Sequence, residues 1–368
     1  MNHRTVIISG KRIPPGRAID LDIPVSGTAV GHAVTIPVRV VRGPEPGPIV
    51  AVTAAVHGDE ITGMAIVRAL VGDEHLKIER GTLILAPVVN VLGFERSSRY
   101  MPDRRDLNRS FPGSASGSLT ARFARAVFEE LIGPADALID LHTAAAKRTN
   151  FPNVRVDLDH PPSAELARHF GAELTVHGKG PEGSLRRAAV EAGKAAIILE
   201  AGEVWKFDPA MTEIGLRGVR NALMGLGMMP GEPEPPLFRA ESRKTEWARS
   251  THGGILRFHV SPGDWVEDAQ PLATVTTLLG RDLATIESPR AGVVLGMTTM
   301  PAVVPGDPVC HIATLDRGRA KLREAHEDES GDSLHHRVLD AFTANTHIEQ
   351  PREDSSEPFD PDSEDAVL

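Results

Sequence analysis

Residues 28–42, TAVGHAVTIPVRVVR, alternate loosely between apolar and polar side chains, the period of a strand. GPEPGP follows, and its Pro and Gly cannot continue a ladder, so the chain turns. IVAVTAAV, residues 49–56, is a nearly unbroken apolar run, as expected of a strand covered on both faces. In DEITGMAIVRALV, Ile61, Met64, Ala65 and Leu70 recur at helical spacing. GTLILAPVVNV predicts a second covered strand. SLTARFARAVFEELI predicts an amphipathic helix with Leu119, Phe123, Ala126, Val127 and Leu131 on one face. ADALIDLHT reads as a third strand, SAELARHFGA as a helix and KAAIILEAGE as a fourth strand. Strands alternating with helices specify an α/β layered domain with a parallel or mixed sheet.

The texture changes near residue 230. PGEPEPPLFRAES is a Pro-rich connector. Short strands then alternate with Gly, Pro and Asp, as in GGILRFHVSPGDWV, PLATVTTLLG and VPGDPVCHIATL, the spacing of a small all-β barrel or sandwich. The expected organisation is an α/β domain over residues 1–235, a small all-β domain over 236–318 and a tail over 319–368.

Charge sharpens the view of the tail. Of the 50 acidic and 40 basic residues, 14 and 4 lie from Lys321 onward, so this segment carries the whole net charge of −10. Acidic and poor in aromatics, it is expected to be largely disordered, with room for a short helix around HRVLDAFTA. His326, His335, His336 and His347 are read as solvated residues of that tail. Residues 1–320 are neutral, which argues against a nucleic-acid partner. No apolar run is long enough to span a bilayer, and no signal peptide is visible, so a cytoplasmic protein without a membrane partner is expected. The single cysteine, Cys310, excludes an intrachain disulfide and reads as a buried thiol.

The candidate chemistry gathers at strand ends. His57 and Glu60 follow the first covered strand, His142 ends the third, and Glu200 ends the fourth. In open α/β sheets the ligand crevice lies outside the carboxyl ends of the strands, so these distant residues can converge. Two imidazoles and one carboxylate are a standard ligand set for catalytic Zn2+. Such a hydrolase needs another carboxylate to move the water's proton. Glu200 suits this because it directly follows the apolar strand; Glu203 competes from the same loop. The loop RYMPDRRDLNRSFPG, residues 99–113, is rich in Arg, which can clamp a carboxylate through two parallel hydrogen bonds.

HGDE, DLNRSFPG and DLHT, in that order, resemble the succinylglutamate desuccinylase/aspartoacylase family of zinc carboxypeptidase-like hydrolases, over roughly residues 25–230. The resemblance implies a three-layer α/β domain with a mixed sheet and a small C-terminal barrel. It implies one Zn2+ per subunit on His57, Glu60 and His142. By the same resemblance Asn108 and Arg109 grip a substrate carboxylate, Arg99 steadies the oxyanion and Glu200 is the general base. Arg104 or Arg105 is an alternative to Arg99, because that spacing varies. Asp59 and Asp106 would support the loops or orient the ligands.

Several other chemistries are excluded. GSASG, residues 113–117, lacks a central serine and a preceding strand, so it is no nucleophile elbow. HExxH, a Walker loop and a Rossmann fingerprint are absent. The C-terminal β region resembles a biotinyl/lipoyl-type hammerhead, but no lysine occurs between Lys244 and Lys321 to carry a cofactor. A lid, a substrate-selecting wall or a homo-oligomer contact stays open for it, and His177 is a candidate for the pocket rim. The expected activity is zinc-dependent hydrolysis of the amide of a small N-acyl amino acid. The alternatives are a carboxypeptidase and a non-catalytic binding protein of the same fold.

Overall fold

In the computed structural model, which describes residues 5–327, 333–345 and 348, the chain divides into two compact units. The first takes in the described residues up to Ala145 together with Pro152–Glu241; the second takes in Ala146–Phe151 and the described residues from Ser242 onward. The Pro-rich connector around residue 235 therefore belongs to the first unit.

The first unit is a mixed sheet between helices. Its strands are β1 (Arg17–Gly27), β2 (Ala33–Arg42), β3 (Glu45–Ala54), β4 (Arg80–Ala86), β5 (Ala137–His142), β6 (Arg148–Val156, from Pro152), β7 (Leu174–His177) and β8 (Ala195–Gly202). They lie in the order β1-β2-β4-β3-β5-β8-β6-β7. The pairs β1/β2 and β2/β4 are antiparallel, whereas β4/β3, β3/β5, β5/β8 and β6/β7 are parallel.

Helices α1 (Thr62–Gly72), α2 (Leu119–Val127), α3 (Pro161–Phe170), α4 (Leu185–Glu191) and α5 (Pro209–Gly225) cover the sheet. Phe123, Val127, Leu185 and Ala189 of α2 and α4 share one buried cluster with Val38, Ala51, Ile84, Leu138 and Ala196 of the strands. On the other face, Gly63 brings α1 against Ala54 and Leu141, where a Cβ would lie 2.9 and 2.8 Å from their Cβ atoms. Gly215 and Gly218 likewise seat α5 on Ile66 of α1 and Phe170 of α3. Tertiary burial holds these helices. A helix of nine residues such as α2 would be marginal alone, and each large apolar side chain it buries contributes roughly 1.5–3 kcal/mol.

The parallel register is what positions the site. Thr53 pairs with Asp140, and Glu200 with His142, so β3, β5 and β8 end at one edge of the sheet.

The second unit contains two antiparallel sheets. Lys244–Arg249, Pro308–Thr314, Gly292–Thr298 and Arg148–Asn150 pair in sequence in one; Asp282–Glu287, Pro271–Thr276 and Gly254–Phe258 pair in the other. Leu256, Val275, Val294, Cys310 and Ile312 lie in their shared core. The pairing of Arg148–Asn150 with Gly296–Thr298 explains why Ala146–Phe151 leaves the α/β unit in which the sequence placed it.

The acidic tail carries the short helix allowed around HRVLDAFTA and differs from expectation in that this helix is partly buried. Arg319–Glu327 and Leu334–Asn345 are helical, and Leu334, His335, Val338 and Phe342 are buried. His335 packs edge-on to Phe151, so at this position it is a core residue and not a solvated one. Apolar side chains at helical spacing outweigh the segment's net charge here. Residues 328–332, 346–347 and 349–368, with His347, lie outside the described residues. Among the described residues, no helix is long and apolar enough to cross a membrane.

Candidate metal centre

The turn after β3 places its residues without slack. Glu60 N–H donates to the His57 carbonyl at 3.1 Å, and a Cβ on Gly58 would stand 2.2 Å from the Gly93 carbonyl carbon and the Phe94 nitrogen. The loop is thus pressed backbone to backbone against residues 93–98. His57, Glu60 and His142 are buried at 3%, 1% and 4% exposure, although they come from positions far apart in the chain.

Each has a ligating atom within 4.8 Å of the others. His57 Nδ1 lies 2.6 Å from Glu60 Oε1, and His142 Nδ1 lies 2.7 Å from Glu60 Oε2. The opposite ring nitrogens also face carboxylates: His57 Nε2 lies 3.3 Å from Asp106 Oδ1 and His142 Nε2 lies 2.8 Å from Asp140 Oδ2. Asp140 is itself held by the Thr53 hydroxyl at 2.6 Å. Outer carboxylates of this kind fix the tautomer that leaves the inner nitrogen as a ligand.

The charges explain why a cation suits the cluster. Burial alone would raise the Glu60 carboxyl, but the two imidazoles hold it well below its ordinary range. Burial would lower both imidazoles, yet the carboxylates push His57 up and His142 well up. The cluster therefore holds positive charge between its nitrogens and Glu60. Neither His57 ring nitrogen makes an aligned hydrogen bond. A divalent cation held by His57, Glu60 and His142 would supply that charge, so the donor set fits a metal ion.

The surrounding residues sort by contact. Arg99 donates to Glu60 Oε1 at 3.0 Å and to Asp106 Oδ2 at 3.3 Å. Arg104 and Arg105 are exposed, and Arg105 stands 4.0 Å from Asp103. Asn108 is buried, and its Oδ1 accepts from the Leu185 N–H at 2.8 Å, tying its loop to the start of α4. Arg109 is exposed, and its guanidinium donates to the Asn108 carbonyl at 2.7 Å. Glu200 sits beside His142 in parallel register, with Arg155 Nε 3.7 Å from its carboxylate. Glu203 faces Lys206 at 3.4 Å. Asp59 is buried in the turn between His57 and Glu60, and its carbonyl accepts from the Trp205 N–H at 3.0 Å.

Sequence reasoning missed Asp140, Arg155 and Arg186. Asp140 was discoverable, since strand alternation puts it on the same face as His142. Arg155 and Arg186 lie on elements whose patterns carry no clear period. Arg186 is buried at 4% exposure and donates to the Gly178 carbonyl at 2.7 Å. Burial, and then the neighbouring Arg155 charge, lower its pKa to about 10.

Asp157, Asp159 and His177 form a second group of potential ligands at the ends of β6 and β7. His177 Nδ1 accepts the Leu158 N–H at 3.2 Å, so the neutral ring carries its proton on Nε2, the atom facing Asp159 at 3.7 Å. That nitrogen is a donor, which argues against a metal there.

A mixed α/β sheet whose parallel strands deliver two imidazoles and a carboxylate to one edge defines a class of proteins built to hold a metal ion. Residues 46–226 match the model of the succinylglutamate desuccinylase/aspartoacylase catalytic domain. The N-alpha-acetyl-L-2,4-diaminobutyric acid deacetylase of Halomonas elongata is 29% identical over 308 residues, covering 80% of this chain and 90% of that protein. Two solved structures share the fold. The product-bound ectoine utilization protein EutE (DoeB) from Ruegeria pomeroyi has a TM-score of 0.72 at 25% identity, covering 82% of this chain and 97% of its own. A succinylglutamate desuccinylase from Silicibacter has a TM-score of 0.71 at 24% identity, covering 86% of this chain and all of its own. The relatives so named are hydrolases of amide bonds.

Proposed function

We propose that this protein is a zinc-dependent deacylase that hydrolyses the amide of a small N-acyl amino acid. One observation carries the reading: Glu60 lies between Nδ1 of two imidazoles whose opposite nitrogens face Asp106 and Asp140. The deacetylase from Halomonas elongata supports the substrate class. Zn2+ on His57, Glu60 and His142 would polarise the scissile carbonyl and make a water acidic near neutral pH.

The rest of the reaction falls to the chain. Glu200, next to His142, takes the attacking water's proton on its carboxylate and returns it to the departing amine nitrogen. Arg155 Nε stands 3.7 Å from that carboxylate. Arg99 offers its guanidinium to the negative charge that develops on the carbonyl oxygen. Arg109 and Asn108 bind the substrate carboxylate, and Arg186, which feels the charges of Arg155 and Glu200, adds a buried positive charge to the site. Holding the substrate by its carboxylate turns binding energy into orientation of the amide.

The test is Glu200→Gln measured on a panel of N-acyl amino acids and short peptides. Zinc content should be retained, while kcat should fall by about 10²–10⁴. Wild-type rates in that variant would remove Glu200 as the base. Preference for peptides over N-acyl amino acids would replace deacylase by carboxypeptidase, and a wild-type chain inert on the whole panel would leave a binding protein.

A further inference from the structure

Trp205 combines three features that burial does not explain. Its φ is 60°, in the left-handed region that a bulky L residue rarely adopts. Its side chain does not bury: Trp205 is 57% exposed. Yet both of its N–H groups are used. The backbone N–H donates to the Asp59 carbonyl at 3.0 Å, and the indole Nε1–H donates to the Ser97 carbonyl at 3.1 Å. An indole mostly in solvent gives up little water by making that bond, and a left-handed backbone at a bulky non-glycine residue is strained. Such strain persists where the surroundings over-determine it, and it clusters at functional sites.

The two acceptors show what is over-determined. Asp59 lies between the metal-ligand candidates His57 and Glu60. Ser97, itself at φ 49°, lies two residues before Arg99, whose guanidinium reaches Glu60. Trp205 follows Glu200 by five positions on the segment leaving β8. One side chain and its own backbone therefore join three loops: the ligand turn, the Arg99 loop and the segment that carries the candidate base. Neighbouring contacts pin the same segment. The Lys206 carbonyl accepts from the Thr62 hydroxyl at 2.9 Å, and the Gly202 carbonyl accepts from the Ala144 N–H at 3.0 Å. Gly58 leaves no gap between the ligand turn and Ser98, since a Cβ there would lie 2.6 Å from the Ser98 carbonyl oxygen. The loops are thus already in contact, and the indole bond fixes which register the Arg99 loop keeps.

We propose that Trp205 is a positioning residue that sets Arg99 against the catalytic centre through its indole N–H bond to Ser97. The proposal rests on the deacylase reading for its kinetic consequence and on loop geometry alone for its structural one. Trp205→Phe removes the N–H but keeps a ring; Trp205→Gly removes the indole and relieves the left-handed backbone.

The experiment uses the full-length, zinc-loaded protein. In Trp205→Phe, kcat on the best N-acyl amino acid should fall about tenfold while KM, zinc content and Tm hold. In Trp205→Gly, kcat should fall at least as far while Tm stays level or rises, a split that loss of mere structural support would not give. In an Arg99→Ala background, Trp205→Phe should cost nothing further, because residues that act as a unit are not additive. Hydrogen exchange supplies the reading independent of activity: amides of residues 95–100 should exchange about tenfold faster in Trp205→Phe, with the core strands unchanged. Unchanged exchange in that segment overturns the proposal whatever the enzyme assays show. An additive loss in the double variant overturns it too, as does a fall in kcat matched by a fall in Tm. If the wild-type chain hydrolyses nothing, the functional reading fails by itself and the exchange result still decides the role of Trp205.

Discussion

Asp140 faces His142 Nε2 at 2.8 Å from two positions earlier on the same strand, and Thr53 on the adjacent parallel strand steadies it at 2.6 Å. The alternation of a strand thus carries a metal-ligand candidate and its partner on one face. Replacing Asp140 by Asn keeps the shape but removes the charge that orients the ring. Affinity for Zn2+ should drop by about 10–100-fold, as read by competition with a chelating dye. Unchanged affinity would show that His142 is oriented by packing alone.

The same cluster predicts how protein stripped of metal by a chelator responds to pH. Burial raises Glu60 and Asp106, but the imidazoles, with Arg99 for Asp106, hold both below their ordinary 4.5 and 3.8. Such carboxylates stabilise the fold above those values, and the contribution is lost as pH falls through the folded ones. Burial lowers His57 and His142, but the carboxylates raise both above 6.5. That contribution is full below 6.5 and is lost as pH rises through the raised values. Chelated protein should therefore melt highest between about 4.5 and 6.5 and lose Tm above it, while zinc-loaded protein stays flat over the same alkaline range. Calorimetry across pH 5 to 9 checks this, and a Tm that climbs above pH 6.5 in the chelated sample contradicts it.

Gly58 is required by space. Gly58→Ala drives a methyl to within 2.2 Å of the backbone at Gly93 and Phe94, so one loop must move. Overpacking of this kind costs about 1–3 kcal/mol, and here the displaced segment carries His57 and Glu60. Expected outcomes are a lower Tm and loss of bound zinc together. Full zinc occupancy in the variant would mean the loops are softer than their contact implies.

Cys310 should be silent. It is wholly buried in the core of the second unit, and burial, with some help from Asp264, pushes its thiol up to about 12. Native protein at pH 8 should resist alkylation by iodoacetamide and keep its activity, whereas urea-unfolded protein should label within minutes. Rapid native labelling would place the thiol at a surface.

Much of the α/β unit was legible in the chain because its covered strands are short apolar runs with the chemistry at their ends. IVAVTAAV, ADALIDLHT and KAAIILEAGE announce β3, β5 and β8, and HGDE and DLHT supply all three metal-ligand candidates. The segments that stayed hidden share a cause. RTNFPNVRV interrupts its strand with Pro152 and buries Asn150 and Asn153, so no apolar period shows. PAMTEIGLRGVRNALMG contains glycines that weaken any helical pattern, and their use appears only where Gly215 meets Ile66 and Gly218 meets Phe170. The tail's charge suggested disorder, while Val338 and Phe342 at helical spacing bury in the second unit.

The amino-acid sequence by itself determined which side chains could hold a metal, because imidazole and carboxylate groups ending apolar strands state their chemistry wherever the chain runs. Tertiary structure alone decided which arginine reaches Glu60, which carboxylates face the outer ring nitrogens, and that Trp205 joins three loops. Those relations depend on strand order and parallel register, which bring together residues far apart in the chain, and no local pattern records a distance of that kind.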